Sequence, residues 1–392
     1  MSLRHEILIV GGGLVGASLA VALADAGWDV GLTEPVRPGP APRAGEDYAL
    51  RVSAISPGAR AWLTGLDAWP RQGASRICAY QGMHVWTSGP PGALDFDAAD
   101  IGLPALGHIT ENSLLLATLW ERLRDVTVYC PARLSGLTPG GEGARVRLED
   151  GREIGVALVV GADGGASATR RLAGMEVGGY SYGQRGLVAV ATTSEPHRGT
   201  AWQRFLDGGP LALLPLADGR VSIVWSAPEN EVRALERMPE DEFRGQLEAA
   251  SQHCLGRITA VGPRASFPLR AQYVPEIVAP RIALVGDAAH VVHPLAGQGV
   301  NLGFMDARAL AAELGRARSS KPDPGALRRL KRYARARKGD NLAMLAMTDA
   351  LHRLFTASSP LVRLTRGPGL TLVDALGPVK SMLIRQAAGR SG

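Results

Sequence analysis

The stretch that most limits what this chain can fold into is EILIVGGGLVGASLAVALADAG, Glu6 to Gly27. Its apolar run up to Val10 has the pattern of a short strand buried on both faces. Glycines at 11, 13 and 16 follow at once, and the small-residue run behind them reads as a helix that Gly27 ends. Each glycine has a separate task. Gly11 permits a tight turn, Gly13 lets backbone approach a pyrophosphate, and Gly16 lets the helix pack close to the strand. A second strand, WDVGLTE, ends on Glu34, whose carboxylate can accept from both hydroxyls of a ribose. Strand, loop, helix, second strand and acid in this order predict a dinucleotide-binding α/β unit rather than a turn that only packs. The same stretch imitates a secretory leader, but Glu6 and the glycine spacing argue against one.

The rest of the chain must house that unit. At 392 residues, 46% of them apolar, there is enough chain for two interleaved units with sizeable cores. Only one such glycine fingerprint occurs, so a nicotinamide, if used, has no Rossmann domain of its own. The net charge of +6 is too small and too dispersed to argue nucleic acid. It suits an anionic cofactor or a weak attraction to acidic lipid. Cys78, Cys130 and Cys254 lie far apart, with no zinc spacing, and read as packing residues in a reducing compartment. No apolar run is long and clean enough for a transmembrane helix.

Along the chain, Ser56 to Pro70 reads as a helix. So does Thr110 to Leu123, with an apolar stripe at Leu115, Leu116, Leu119 and Leu123. Strands linked by Gly-rich turns follow, and from about Tyr180 to Phe267 period-two alternation predicts an inserted antiparallel sheet. GPLALLPLADGRVSIVWS is its clearest hairpin, with ADGR as the turn. RIALVGDAAH returns to buried-strand character, and after Val300 the pattern is mostly helical.

Two further constellations carry chemistry. In ALVVGADGGASATR a strand ends on Asp163-Gly164, with Ser167 as a cap and Arg170 able to meet a carboxylate or phosphate. A plain strand-to-helix turn with a surface ion pair explains it equally well. In GDAAHVVHPLAGQGVN, Asp287 can accept from the hydroxyls of a polyol, while Gly299, Val300 and Asn301 start a helix whose positive end favours negative charge. His290 and His293 invite a metal, but no acidic or Cys ligand completes a set, so no metal is expected.

Gly11/Gly13/Gly16 with Glu34, Asp163-Gly164 and Gly286-Asp287 together resemble the three signatures of the class A, single-component flavoprotein monooxygenases. RVSAISPGAR, WQRFLDGGPLALLPLADGRVSIVWS, FPLR, GDAAHVVHPLAGQGVNLG, RKGDNLAMLAMTDALHRLF and the C-terminal VKSMLIRQAAG resemble the ubiquinone-biosynthesis hydroxylases within that class. The likeness covers essentially the whole chain. It implies an α/β fold in which a Rossmann-like FAD-binding domain is interleaved with an antiparallel-sheet substrate domain, followed by a helical C-terminus. The expected division is 1–75, 109–175 and 270–335 for FAD, 76–108 and 176–269 for substrate, and 336–392 as the C-terminal segment.

The resemblance also implies roles. Gly11, Gly13 and Gly16 would meet the FAD pyrophosphate and Glu34 the adenosine ribose. Arg51 would lie near the phosphates and flavin, and Asn112 stands where the family often carries Arg or Gln toward FAD. Asp163 and Gly164 belong to a motif serving FAD and the nicotinamide donor. Gly286 and Asp287 would hold the ribityl chain. Pro294, Gly297, Gly299, Val300 and Asn301 would wrap the isoalloxazine. Leu213, Pro215, Trp225, Pro294 and Leu295 are the expected walls of a dry, greasy pocket.

NAD(P)H would act as transient electron donor, and O2 would react on reduced flavin to a C4a-hydroperoxide that hydroxylates a prenylated phenol. No acid–base residue for the phenol stands out. A monooxygenase of a small soluble phenol, and a low-activity flavin-binding scaffold of a biosynthetic complex, remain open alternatives. The expected location is the cytoplasm, with peripheral attachment at the inner face of the membrane as a further expectation.

Overall fold

The computed structural model describes residues 3–88, 92–292, 298–316 and 323–356. His293, Pro294, Leu295, Gly297 and the C-terminal stretch beyond residue 356 therefore lie outside the described residues. The chain begins β1 (Leu3–Val10), α1 (Leu14–Asp25), β2 (Val30–Thr33), β3 (Val52–Ile55), α2 (Pro57–Gly65), β4 (Cys78–Tyr80), β5 (Gly82–Thr87) and β6 (Ala93–Asp97). It continues β7 (Gly107–Glu111), α3 (Asn112–Glu121), β8 (Thr127–Tyr129), β9 (Leu134–Pro139), β10 (Ala144–Leu148), β11 (Glu153–Gly161) and α4 (Ala168–Leu172). Then come β12 (Gly178–Thr193), β13 (Thr200–Leu206), β14 (Gly209–Pro215), β15 (Val221–Pro228), α5 (Glu229–Arg237), α6 (Glu240–Ser251), β16 (Ile258–Val261) and β17 (Ala265–Tyr273). Last are β18 (Val278–Ala279), β19 (Ile282–Leu284), β20 (His290–Val291), α7 (Gln298–Gly315) and α8 (Leu327–Thr356).

The first sheet has the order β18-β19-β11-β1-β2-β8, with the β9–β10 hairpin joined to β11. From β19 to β8 its neighbours are parallel. The register aligns Tyr129, Thr33, Val10, Gly161 and Leu284 across one rung at the strands' C-terminal ends. Ile7 and Ile9 face a core with Leu19, Leu23, Phe304 and Leu310. Leu8 and Val10 face the other way, onto Tyr129, Leu134 and Val146. Burial on both faces is why β1 reads as an unbroken apolar run.

The second sheet runs β20-β17-β12-β15-β14-β13-β5-β6, with β16 on β12. It is antiparallel except where β13 meets β5 in parallel. The antiparallel sheet expected from Tyr180 to Phe267 is present, and α5 and α6 are set into it and cover one of its faces. Pro228 and Pro239 precede the two helices, each with acids in the first turn, and that start signal outweighs the alternation around it. The short β20 follows Asp287 and pairs with β17, so the second sheet begins within a few residues of the first sheet's edge.

Between the two lies the small sheet β3-β7-β4. The helix expected from Thr110 starts at Asn112, because Gly107–Glu111 pairs with β3. Its core face carries Leu114, Leu115 and Leu119 rather than Leu116. Helix α8 lies against α7, sends the Tyr333 hydroxyl to the Leu284 carbonyl at 2.8 Å, and reaches β13 and β14.

Candidate active site

The aligned strand ends deliver four loops to one place, the edge at which parallel sheets hold ligands. A Cβ at Gly11, whose φ is +106°, would stand 2.4 Å from the Ala162 carbonyl oxygen. One at Gly16 would stand 1.9 Å from the Gly11 oxygen. Beyond Gly13 there is nothing within 4 Å, so its backbone faces open space. Two closed positions around one open one make a cradle suited to a pyrophosphate at a helix start. Gly12 is gripped from both sides: its N–H donates to Glu34 Oε2 at 2.7 Å, and its carbonyl accepts from Trp120 Nε1 at 2.8 Å. The Arg37 guanidinium lies 5.8 Å from the Trp120 ring. Neither Trp120 nor Arg37 follows from the glycine fingerprint. Trp120 sits among the leucines of α3 and looks like one more core residue.

Asp163 is spent inside its own turn. One carboxylate oxygen accepts from Ser167 Oγ at 2.5 Å, the other from Thr169 N–H at 2.9 Å and Thr169 Oγ1 at 3.0 Å. Arg170 makes no surface ion pair. It is buried, and donates to the Ala288 carbonyl at 2.9 Å and the Gly165 carbonyl at 2.7 Å. It thereby ties the Asp163-Gly164 turn to the Gly286-Asp287 turn. Gly286 has φ +60°, and Asp287 stands beside it with its tip open to solvent. The recess around Asp287 desolvates it and pushes its carboxyl up, while His290 and Arg51 pull it back.

Behind that turn is a buried ionic knot. Asp306 Oδ2 accepts from the Gly286 N–H at 3.0 Å and lies 2.5 Å from His290 Nε2. Its Oδ1 accepts from Arg337 Nε at 2.8 Å, and Arg337 also donates to Asp340 and Asn341. Burial alone would push the Asp306 carboxyl up, but His290 and Arg337 together hold it below the usual range. His290 is thus a strut of this knot, and among the described residues no group of His, Cys, Asp and Glu could hold a metal.

The start of α7 is seated by two contacts. Asn301 accepts from the Ser56 N–H at 2.9 Å and donates to the Ala54 carbonyl at 2.8 Å. Its amide thus ties the start of α7 to β3 and to the start of α2. A Cβ at Gly303 would stand 2.6 Å from Val15, so this glycine lets α7 close on α1 and on Gly286. The Gly299-x-x-x-Gly303 spacing, one helical face of small residues, was its signal. The backbone N–H groups of Gln298, Gly299 and Val300 head the helix.

On the near side Arg51 is exposed, and its carbonyl accepts from the Asn112 N–H at 3.0 Å. Asn112 Oδ1 accepts from Ser53 at 2.7 Å, leaving its amide nitrogen without a partner among the described residues. The loop leading to Arg51 hangs on a buried pair absent from any sequence expectation. Arg76 meets Glu111 at 2.6 Å and donates to the carbonyls of Arg43, Glu46 and Asp47.

The pocket walls need the largest correction. Leu213 and Trp225 pack with Val232, Leu235, Phe243 and Leu247 under α5 and α6, on the closed face of the second sheet. Pro215 shares their parity on β14. The opposite face carries Val190, Leu214 and Leu216, which meet Tyr48, Ala54 and Ile109. That face looks toward β3, where Asn301 also seats α7.

A family model described as "FAD binding domain" matches residues 110–344. The chain is 38% identical over 98% of its length to the ubiquinone hydroxylase UbiL of Rhodospirillum rubrum, covering 89% of that protein. It is 36% identical over 98% to the 3-demethoxyubiquinol 3-hydroxylase of Escherichia coli, covering 98% of that protein. Among solved structures, pqsL of Pseudomonas aeruginosa, a probable FAD-dependent monooxygenase, superposes with a TM-score of 0.76 at 24% identity, over 92% of this chain and 98% of that one. Among the described residues no helix is long and apolar enough to cross a membrane.

Proposed function

The chain belongs to the FAD-dependent hydroxylases of ubiquinone biosynthesis, and from that premise we propose that it adds a hydroxyl to the aromatic ring of a polyprenylated phenol, with NAD(P)H as electron donor. The observation that carries the reading is the single rung of strand ends that gathers Gly11–Gly16, Glu34, Asp163 and Asp287 at one edge. When bound, FAD would relay the reducing equivalents of NAD(P)H and supply the oxygen activation that side chains lack.

The chain's own residues bind, orient and exclude water. Gly11, Gly13 and Gly16 seat the pyrophosphate, with Glu34 on the ribose. Arg51 supplies positive charge at the phosphates, and the free Asn112 amide nitrogen a donor. Asp287 accepts from the ribityl hydroxyls. Asp163 acts through the turn it braces, not by touching the cofactor. The N–H groups heading α7 favour negative charge on the ring edge facing them. The first sheet with α1, α3 and α7 forms the FAD unit, and the second sheet the substrate unit. Leu214, half-buried on the face away from α5 and α6, offers an apolar wall against which a prenylated ring can stay dry. A prenylated substrate also favours peripheral attachment to a bilayer.

Purified protein should be yellow, release FAD on heating, and oxidise NAD(P)H faster when a prenylated phenol is added. The product should gain one oxygen atom by mass. Colourless protein that cannot be reconstituted with FAD would sink the reading. Turnover of a soluble phenol with none of a prenylated one would move it to a small-molecule substrate.

A further inference from the structure

We propose that the outer stripe of α8 and the groove beside it form a docking surface for an anionic lipid bilayer. The inference deepens the peripheral attachment that the hydroxylase reading favours by naming its surface, and it rests on the geometry of α8 and not on turnover.

Helix α8 carries its cations on two faces with opposite fates. On the inner face Arg329 and Arg332 lie 3.8 and 2.8 Å from Glu313, and Arg337 is consumed by Asp306 and Asp340. On the outer face Arg328, Lys331, Arg335 and Lys338 follow one another at helical spacing, all exposed. None of these four forms an ion pair with the described residues. The same stripe continues as Leu342 and Leu345, so one line along the helix is cationic first and apolar after.

That line is one wall of a groove of about 870 Å³. The other wall is the end of β17 and the segment after it, Tyr273 to Ile277, with Glu276 as its acid. His290 also borders the groove but is already held by Asp306. Four of the five large apolar side chains most exposed among the described residues belong to this region: Leu342 at 52%, Val177 at 47%, Tyr180 at 46% and Tyr273 at 45%. The Tyr273 ring lies over Gly178, next to Val177, and the Tyr180 hydroxyl reaches Asp349 near the end of α8.

A solvated helix face would account for the cations, which water can satisfy, but not for the exposed apolar side chains set beside them. This one sets unpaired cations beside exposed Tyr and Leu, the arrangement that suits lipid headgroups and the acyl boundary beneath them. The charge is complementary to an anionic leaflet, and the exposed side chains of Leu342 and Tyr273 can enter the acyl boundary beneath its headgroups.

The test is flotation of the full-length holoprotein with vesicles of phosphatidylcholine alone or mixed with phosphatidylglycerol. Binding to the mixed vesicles, weakened by salt, and little to the neutral ones is expected. The quadruple variant R328E/K331E/R335E/K338E should lower partitioning by about 100-fold or more. Leu342→Ser should lower it by about 10-fold with all four cations in place. A control reversing four exposed arginines elsewhere, R124E/R133E/R171E/R257E, changes net charge equally and should lower it by no more than about threefold. Equal losses in both charge variants would overturn the proposal, as would undiminished binding after reversal. Light scattering without lipid checks for a second copy in the groove: a dimer that the α8 variant dissolves would overturn it too. None of these readings needs turnover, so a failed docking surface and a failed hydroxylase are seen separately.

Discussion

The nucleotide end of this site is made of backbone, and the ring end is made of a choice between two faces of a sheet. At the first, glycines 11 and 16 leave no room for a Cβ, and the strand rung fixes where the loops fall. At the second, β14 offers Leu213 to one side and Leu214 to the other, and only α5 and α6 decide which side is closed. Backbone constraints are absolute and local, because no other residue fits. Face constraints are relative, because either leucine serves until something covers one of them.

The sharpest way to break this contrast is Gly11→Ala. The new Cβ would need a position 2.4 Å from a carbonyl oxygen at a φ of +106°, so FAD affinity should fall by about 100-fold or more. Heat-released flavin per chain measures it. Near-normal flavin content would mean that the cradle yields.

Next is Asp306→Asn, which removes the charge that balances Arg337 and meets His290 Nε2. Breaking a buried charge set costs about 3–5 kcal/mol, read by denaturant unfolding at neutral pH. The sign of its pH dependence is fixed. The Asp306 carboxyl titrates below its ordinary value, so its stabilisation is present above the unfolded value of about 3.9 and is lost as pH falls through the folded one. The gap between wild type and variant should therefore be widest near neutrality and narrow in acid. A gap that widens in acid would contradict the charge assignment.

These two cases also show what was legible. Gly11, Gly16 and the Asp287 turn could be placed from sequence because their spacing is dictated by backbone geometry next to a strand. The Arg76–Glu111 and Asp306–Arg337 pairs could not, since each joins residues more than thirty positions apart with no local pattern. The seating task of Asn301 was hidden for a related reason. It stands where α7 begins, and its amide reaches Ser56 and Ala54, some 245 positions earlier in the chain. Helices α5 and α6 were hidden by alternation in the strands on either side, and with them went the knowledge of which sheet face was shut. Leu213 and Trp225 were therefore assigned to a pocket when they belong to a core.

The two leucines test that point directly. Leu213→Ala empties space under α5 and α6 and should cost about 3 kcal/mol of stability, while the KM for the phenol stays within about twofold. Leu214→Ala should cost under about 1.5 kcal/mol but raise that KM by about 10-fold. If the two variants exchange these signatures, the substrate lies on the other face.

The smallest expected effect returns to the nucleotide end. Trp120→Phe keeps most of the ring beside Gly12 but deletes the indole N–H that donates to the Gly12 carbonyl at 2.8 Å. Glu34 still holds the Gly12 N–H from the other side, so the loop is loosened at one of two points. A net hydrogen bond is worth about 1 kcal/mol, which corresponds to roughly fivefold weaker FAD binding if the loop must be held to receive the pyrophosphate. Titration of apoprotein with FAD gives the affinity, and thermal unfolding of the same apoprotein gives the stability. A fall in affinity larger than the fall in apoprotein stability would place Trp120 with the backbone constraints, as a residue that positions the cradle. A loss of stability with unchanged affinity would place it with Leu213, as packing alone.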